Sequence, residues 1–349
     1  MILPQTFSTA ALLLIVAIVC WGSWANTLKL ARKWRFELYY FDFAIGLALA
    51  AFIYALTVGN LGFDGFSFLD DVMHAGKRQW FYALVAGAIF NFANMLLTAG
   101  ISVAGMSVAF PVAIGLSVVV GAVVDIVSKQ GGTPGMLAGG CLLLFFAILL
   151  ISIAYSMANV QRHEALARAG KTKSTRRPSS AKGIVLAVIS GLLMPAFFPL
   201  VQKAMDGDLG LGPYSTVAIF SLGVFFSTFV FNVFFMNLAV EGDPVDFTDY
   251  FRAKTSFHIL GVLGGVIWAS GAVALLVPGA SPTLTHLSPV LTGWARGGFP
   301  VIAALWGLFA WREFRGSDLR AHGLAFSSIV VFALGLTLIT MAPLYLRSI

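Results

Sequence analysis

Residues 87–124 read GAIFNFANMLLTAGISVAGMSVAFPVAIGLSVVVGAVV, with no charged side chain from end to end. About 20 apolar residues cross a bilayer, so a run of this length predicts two membrane helices, about 79–101 and 104–127, with almost nothing between them. The rest of the chain follows the same rule. Of 349 residues, 59% are hydrophobic and 11% charged, against roughly 25% charged in a soluble domain, and the mean hydropathy is +0.90. This is the composition of an all-α integral membrane protein.

Ten spans are predicted, at about 8–28, 38–59, 79–101, 104–127, 134–156, 182–202, 213–238, 256–277, 284–310 and 322–345. No separate soluble domain of useful size remains, so the site is expected among the helices. The first span lacks a basic flank before Ser8 and ends at CWGSWANTL (20–28) without a small-residue cleavage site, which marks a retained helix and not a signal peptide. Cys20 and Cys141 lie within spans without a partner at metal-ligand spacing and read as packing residues.

The segment 157–181 is basic and divides the chain into 1–156 and 182–349, five spans on each side. An odd number per half makes any repeat inverted in the membrane. At one ungapped offset of 178 residues, Gly87 meets Gly265, Leu97 meets Leu275, Pro111 meets Pro289 and Gly115 meets Gly293. Loops on the side of the central segment hold 16 Lys and Arg. The opposite side holds Lys77, Arg78, Lys129, Lys203 and Arg347. The bias places the central loop in the cytoplasm and both termini outside. It also accounts for the net charge of +7 without nucleic acid. AGKTKS (169–174) has Ala165 where a phosphate loop needs its first Gly, so nucleotide binding is not expected and 161–182 reads as a solvated linker.

LTGWARGGFP (291–300) places Arg296 about 15 Å into the ninth span, near the midplane. A charge at that depth is costly and marks a functional site by default. The same helical face carries Pro289, Thr292, Gly293 and Pro300, and Pro300 removes the N–H that would bond the carbonyl of Arg296. Freed backbone polarity at this depth needs protein or a water-filled cavity beside it. Arg296 is therefore assigned to substrate, with a structural ion pair to a carboxylate such as Asp42 or Asp125 as the rival. Pro111, Pro289 and Pro300 are the expected helix breaks.

Asn91 and Asn94 share a face of the third span, where they either bond neighbouring helices or line a polar pocket. Trp268, which meets Phe90 in the repeat, and Trp294 offer flat faces for stacking, with Trp21 beside them. Trp24 reads as an interface anchor. Asp42, Asp125 and His286 are the ionisable groups inside spans that could carry a coupling proton, Asp42 also being placed to pair with Arg35. No nucleophile–base pair or metal-ligand cluster is visible, so neither catalysis nor a cofactor or metal is expected.

KLARKWRFELYYFDF (29–43), the 87–124 stretch, KGIVLAVISGLLMPAF (182–197), LGGVIWASGAVAL (263–275) and ALWGLFAWREFRGS (304–317) resemble the matching parts of the rhamnose and glucose/ribose porters and the plant ureide permeases. These are branches of the drug/metabolite transporter superfamily. The resemblance implies ten helices in two inverted five-helix repeats and a central cavity lined by spans 1, 3, 4, 6, 8 and 9. It also implies proton-coupled import of a small polar solute through the cytoplasmic membrane. A phosphate-loop-like element in the central loop of ureide permeases has no complete counterpart here.

The expected function is a secondary transporter of a sugar or sugar-like metabolite. Arg296 would bind its oxygens, Trp268, Trp294 and Trp21 would stack, and Asn91, Asn94 and Thr292 would add specificity. The alternatives are a ureide or nucleobase permease, a uronate transporter, and a non-transporting membrane protein. GMLAG (135–139) has the spacing of a close helix contact, within the protomer or in a homodimer.

Overall fold

The computed structural model describes residues 1–31, 34–127, 132–169, 181–240, 242–284 and 287–345. His286, most of AGKTKS and Arg347 lie outside them. All regular structure among the described residues is helical, as hydrocarbon requires of a chain that must satisfy its own backbone polar groups. The chain is an integral membrane protein.

The helices are α1 (Phe7–Ser23), α2 (Ala25–Leu30), α3 (Phe36–Leu56), α4 (Phe68–His74), α5 (Lys77–Ala104), α6 (Met106–Val127), α7 (Pro134–Arg168), α8 (Ala181–Leu193), α9 (Phe197–Met205), α10 (Pro213–Asn237), α11 (Phe247–Phe251), α12 (Thr255–Leu276), α13 (Pro289–Gly297), α14 (Phe299–Leu305) and α15 (Leu319–Met341). Taking α1 with α2 and α8 with α9 as continuous crossings, nine segments among the described residues are long and apolar enough to span a membrane.

The predicted ninth span is the exception. It is broken between α13 and α14 at Gly298, and the second piece ends in a π-type turn, Trp306–Ala310. Gly298 N–H bonds Trp294 O at 2.7 Å, while Pro300 has no N–H for Arg296, so the helix restarts instead of continuing. Pro289 is the first residue of α13, where its missing N–H costs nothing. Pro111 lies inside α6, which runs on past it. Of the three prolines expected to break helices, Pro300 alone sits at an interruption. The tight turn between α5 and α6 is Gly105, at φ +88°.

The chain forms two compact units, each drawing on both halves of the sequence: Met1–Met95 with Leu193–Phe299, and Leu96–Leu192 with Pro300–Ile349. Lipid gives helices no hydrophobic reason to associate, so small residues that let backbones touch carry the packing. In the first unit Gly265 of α12 lies against Phe43 O of α3, and Gly46 of α3 against Val262 of α12. Gly87 of α5 and Gly223 of α10 meet the facing backbones at Phe220 O and Leu84 O. The repeat-matched glycines Gly87 and Gly265 are thus both points of closest helix approach. Gly265→Ala is expected to lower the thermal midpoint in detergent by several degrees, from overpacking of about 1–3 kcal/mol or more.

In the second unit Gly140 of α7 lies against Gly335 of α15, and Gly139 packs on Leu338, whereas Gly135 has open space around it. Of the GMLAG pair, Gly139 meets a facing helix within the chain and Gly135 does not; the tightest approach here is at the neighbouring Gly140. The helix α7 continues to Arg168, so residues 157–168, expected in the linker, are helical. The reason is local: ANVQRHEALAR (158–168) is rich in good helix formers and extends an existing helix, which needs no new nucleus.

Candidate functional site

Trp268 of α12 lies at the centre of a cluster of rings in the first unit. It stacks on Phe220 of α10 at 5.7 Å with 6° between planes, and on Trp21 of α1 at 5.5 Å with 21°. Phe90 of α5 tilts against it at 4.4 Å. The sequence offset that pairs Phe90 with Trp268 pairs residues that touch. Trp21 reaches this position because Gly271 has no side chain to block it, and its indole N–H donates to Trp268 O at 3.1 Å. Trp21, Phe197, Phe198, Thr216, Phe220 and Trp268 line a narrow, partly open cleft with about 20 Å³ of free space. Thr216 spends its hydroxyl on Gly212 O.

Arg296, in the last turn of α13, is exposed. Its guanidinium carbon lies 4.6 Å from the centre of the Phe198 ring, a cation–π contact. Phe198 therefore faces both the pocket and the guanidinium. The ion pairs among the described residues, Arg35–Glu37, Arg168–Glu164 and His258–Asp42, do not include Arg296. Asp42, the rival partner, is engaged elsewhere. Thr292 donates to Ser288 O and Pro289 O of its own helix at 3.2 Å. Trp294 packs over Gly298, where a side chain would collide with it.

The amides expected in the site are used between helices. Asn91 donates to Ser227 and Thr228 of α10 at 2.8 and 3.1 Å, and Thr228 donates back to its carbonyl at 3.4 Å. Asn94 donates to Tyr40 Oη of α3 at 3.0 Å. Neither lines the aromatic pocket. Asn91→Ala is expected to cost about 0.6–1.7 kcal/mol of stability and to leave ligand affinity unchanged, read as a lower midpoint with an unaltered Kd.

The first two turns of α3 form a polar hub. Tyr39 Oη bonds Thr27 of α2 at 2.6 Å, and Tyr40 holds Asn94 of α5. Asn232 of α10 donates to Glu37 O at 2.6 Å. The buried Glu37 carboxylate pairs with Arg35 at 2.6 Å, so Arg35 is not the partner of Asp42. Asp42 accepts from Tyr250 Oη of α11 at 2.6 Å and from His258 Nδ1 of α12 at 2.8 Å. Tyr250 and His258 did not emerge from the sequence; Tyr250 is placed by α11, which a capping box of Asp246 and Asp249 starts.

Asp125 is half-buried in the last turns of α6, and His286 lies outside the described residues. Trp24 is fully buried against Phe43 at 5.0 Å, a core residue and not an interface anchor. In the second unit the Glu313 carboxylate accepts from the N–H groups of Met106 at 2.8 Å and Ser107 at 2.9 Å, and from Ser107 Oγ. These are the first donors of α6, which have no partner within the helix. Gly105 and Gly307 wall this cradle, since a Cβ on either would come 2.6 Å from the carboxylate. Arg162 of α7 binds Glu313 O at 2.7 Å.

No family model matches the sequence. The chain is 20% identical to ureide permease 1 of Arabidopsis thaliana, over 91% of this chain and 93% of that one. It is 21% identical to ureide permease 5 of the same plant, over 95% and 93%. A solved structure described as "Crystal structure of protein" superposes with a TM-score of 0.52 at 15% identity, covering 98% of this chain and 99% of the other. That likeness bears on fold alone. Nearly end to end, then, the chain is similar to proteins named as permeases.

Proposed function

We propose that the chain is a permease for a small, flat, carbonyl-bearing heterocycle of the ureide or nucleobase class. The observation that carries this is the pocket of near-parallel rings at Trp21, Phe220 and Trp268, with the Arg296 guanidinium across Phe198 from it. A planar ring gains stacking on such faces, and ring carbonyls accept from the forked donors of an arginine. A neutral sugar would bring several hydroxyls to a largely apolar wall whose one hydroxyl, on Thr216, is already bonded. Buried hydroxyls without partners are costly, so the sugar reading is the weaker of the two. Trp294 and Thr292 lie on the same short helix as Arg296 and are kept as secondary contacts.

In this proposal the chain crosses the membrane ten times as two inverted repeats, 1–156 and 182–349, the ninth crossing being the broken pair α13 and α14. The basic side faces the cytoplasm, and inward transport is driven by protons through alternating access. Asp42 is the favoured proton carrier among the residues named from sequence. The similarity to ureide permeases and the interrupted helix beside a charge support these points.

The test is a thermal-shift panel on purified protein with allantoin, uracil, neutral sugars and uronates, because a ligand that binds only the folded state raises its midpoint. A rise with allantoin or uracil alone is expected. A rise with sugars alone overturns the heterocycle, and a rise with uronates alone makes Arg296 a charge neutraliser.

A further inference from the structure

We propose that Asp42, His258 and Tyr250 form a proton-binding site whose occupation loosens the hold of α11 on α3; as a coupling site it rests on the permease proposal above. Asp42 is 3% exposed, and both of its oxygens accept a hydrogen bond, one from each partner. An ionised carboxylate is acceptor-only, which suits two donors; once protonated it must donate from one oxygen. With the proton on Oδ2 the bond to His258 reverses, and the Tyr250 bond to Oδ1 loses its ionised acceptor and about half its strength. The Tyr250 hydroxyl is held above the usual phenol range, first by its burial and then by its bond to Asp42 and that carboxylate's charge. It keeps its own proton and goes on donating to Oδ1, but to a neutral acid and so more weakly.

The path for the proton is on the same three groups. The side chain of His258 is 25% exposed and that of Asp42 5%. A proton from water binds His258 Nε2, the Nδ1 proton passes to Asp42 Oδ2, and the imidazole is left neutral with its proton on Nε2. Nothing but one proton is gained.

The part that moves is equally defined. The helix α11 is a five-residue element pinned to the hub by Tyr250 and by ring contacts to Phe41, at 5.5 Å from Phe247 and 5.8 Å from Tyr250. Trp34 lies over Tyr250 at 6.1 Å and edge-on to His258 at 4.9 Å. Its indole N–H is buried without a partner among the described residues, a spare donor at the margin of the cluster. The other charged groups nearby are committed or peripheral. Arg35 and Glu37 pair with each other, and Tyr39 bonds Thr27. Asp249 belongs to the capping box of α11, whose C-cap is Arg252. The facing α10 offers Thr228 and Asn232, neither of which titrates. His258 lies ten residues before Trp268 on α12, so the helix that carries the imidazole also carries the central ring of the pocket.

A static ion pair fastening α3 to α12 is the simpler explanation, and two measurements separate it from a proton site. The first is hydrogen exchange of amides 246–252 in the full chain at pH 5.5 and pH 8, corrected for intrinsic rates. Wild type is expected to exchange about fivefold faster at the lower pH, the factor given by halving a charge-assisted hydrogen bond. Asp42→Asn, which brings an N–H₂ donor to the same place, is expected to be fast at both. Tyr250→Phe, which removes the donor to Oδ1, should be fast at both. The second is uptake of radiolabelled uracil and allantoin into proteoliposomes. Asp42→Asn and His258→Gln should lose accumulation driven by a proton gradient and retain counterflow exchange. Exchange at 246–252 that ignores pH in wild type, or gradient-driven accumulation retained by Asp42→Asn, overturns the proposal. Wild type showing neither uptake nor counterflow defeats the permease reading instead, while the amide measurement still judges the proton site.

Discussion

Arg296→Ala is expected to insert, fold and fail to bind. Hydrogen bonds to a charged group contribute about 1.5–3 kcal/mol each, so the loss of a guanidinium that holds ligand carbonyls should weaken binding between about tenfold and a hundredfold. Stability should not suffer, because the ion pairs among the described residues do not include Arg296 and its neighbour is the face of Phe198. If Arg296 lies at the membrane depth expected from its sequence, removing the charge relieves a solvation penalty, and the midpoint without ligand should hold or rise. A variant that binds as wild type does would reduce Arg296 to packing on Phe198. Arg296→Lys refines the result. Lysine keeps the charge and loses the planar fork, so weakened binding points to paired carbonyls, and unchanged binding points to an anion.

Trp268→Ala should have the opposite profile, a loss of fold as much as of function. The side chain is buried against Trp21, Phe90 and Phe220, and truncations of this kind cost about 3–5 kcal/mol. That is a large share of the stability of any domain. Trp268→Phe keeps a ring in place and makes the cleaner test of stacking. It should fold, and with one aromatic face reduced it should bind a heterocycle about three- to tenfold more weakly, since an aromatic pair is worth about 0.5–1.5 kcal/mol beyond its area. An unchanged Kd in a folded Trp268→Phe variant would move the ligand out of this pocket.

Much of this was legible in the sequence, and the limits have physical causes. Long uncharged runs fix where helices cross, which is why α3, α5, α6, α10, α12 and α15 fall close to their predicted ranges. Arg296, Trp268 and Trp21 stood out because a charge or an indole at membrane depth is rare. Asn91 and Asn94 stood out equally, yet they face Thr228 and Tyr40. A buried amide reads the same in sequence whether it meets a ligand or another helix. Phe198 and Phe220 were invisible among 31 phenylalanines, since nothing local marks a ring that turns toward a cavity. Tyr250 and His258 were missed because their significance lies in meeting Asp42 across more than two hundred positions. The interruption near Pro300 was expected from its missing N–H, and the chain restarts after Gly298.

The cradle around Glu313 has a consequence for how the protein is made. Two backbone N–H groups that open α6 find their acceptor 207 and 206 residues further along the chain, and both compact units are assembled from early and late segments. During synthesis α6 enters the bilayer long before residue 313 leaves the ribosome. Until then its leading donors must rely on water at the membrane surface or on borrowed partners. Completion of the second unit is thus a late event in biogenesis, and a ribosome-bound chain halted before Glu313 holds α6 without its carboxylate cap.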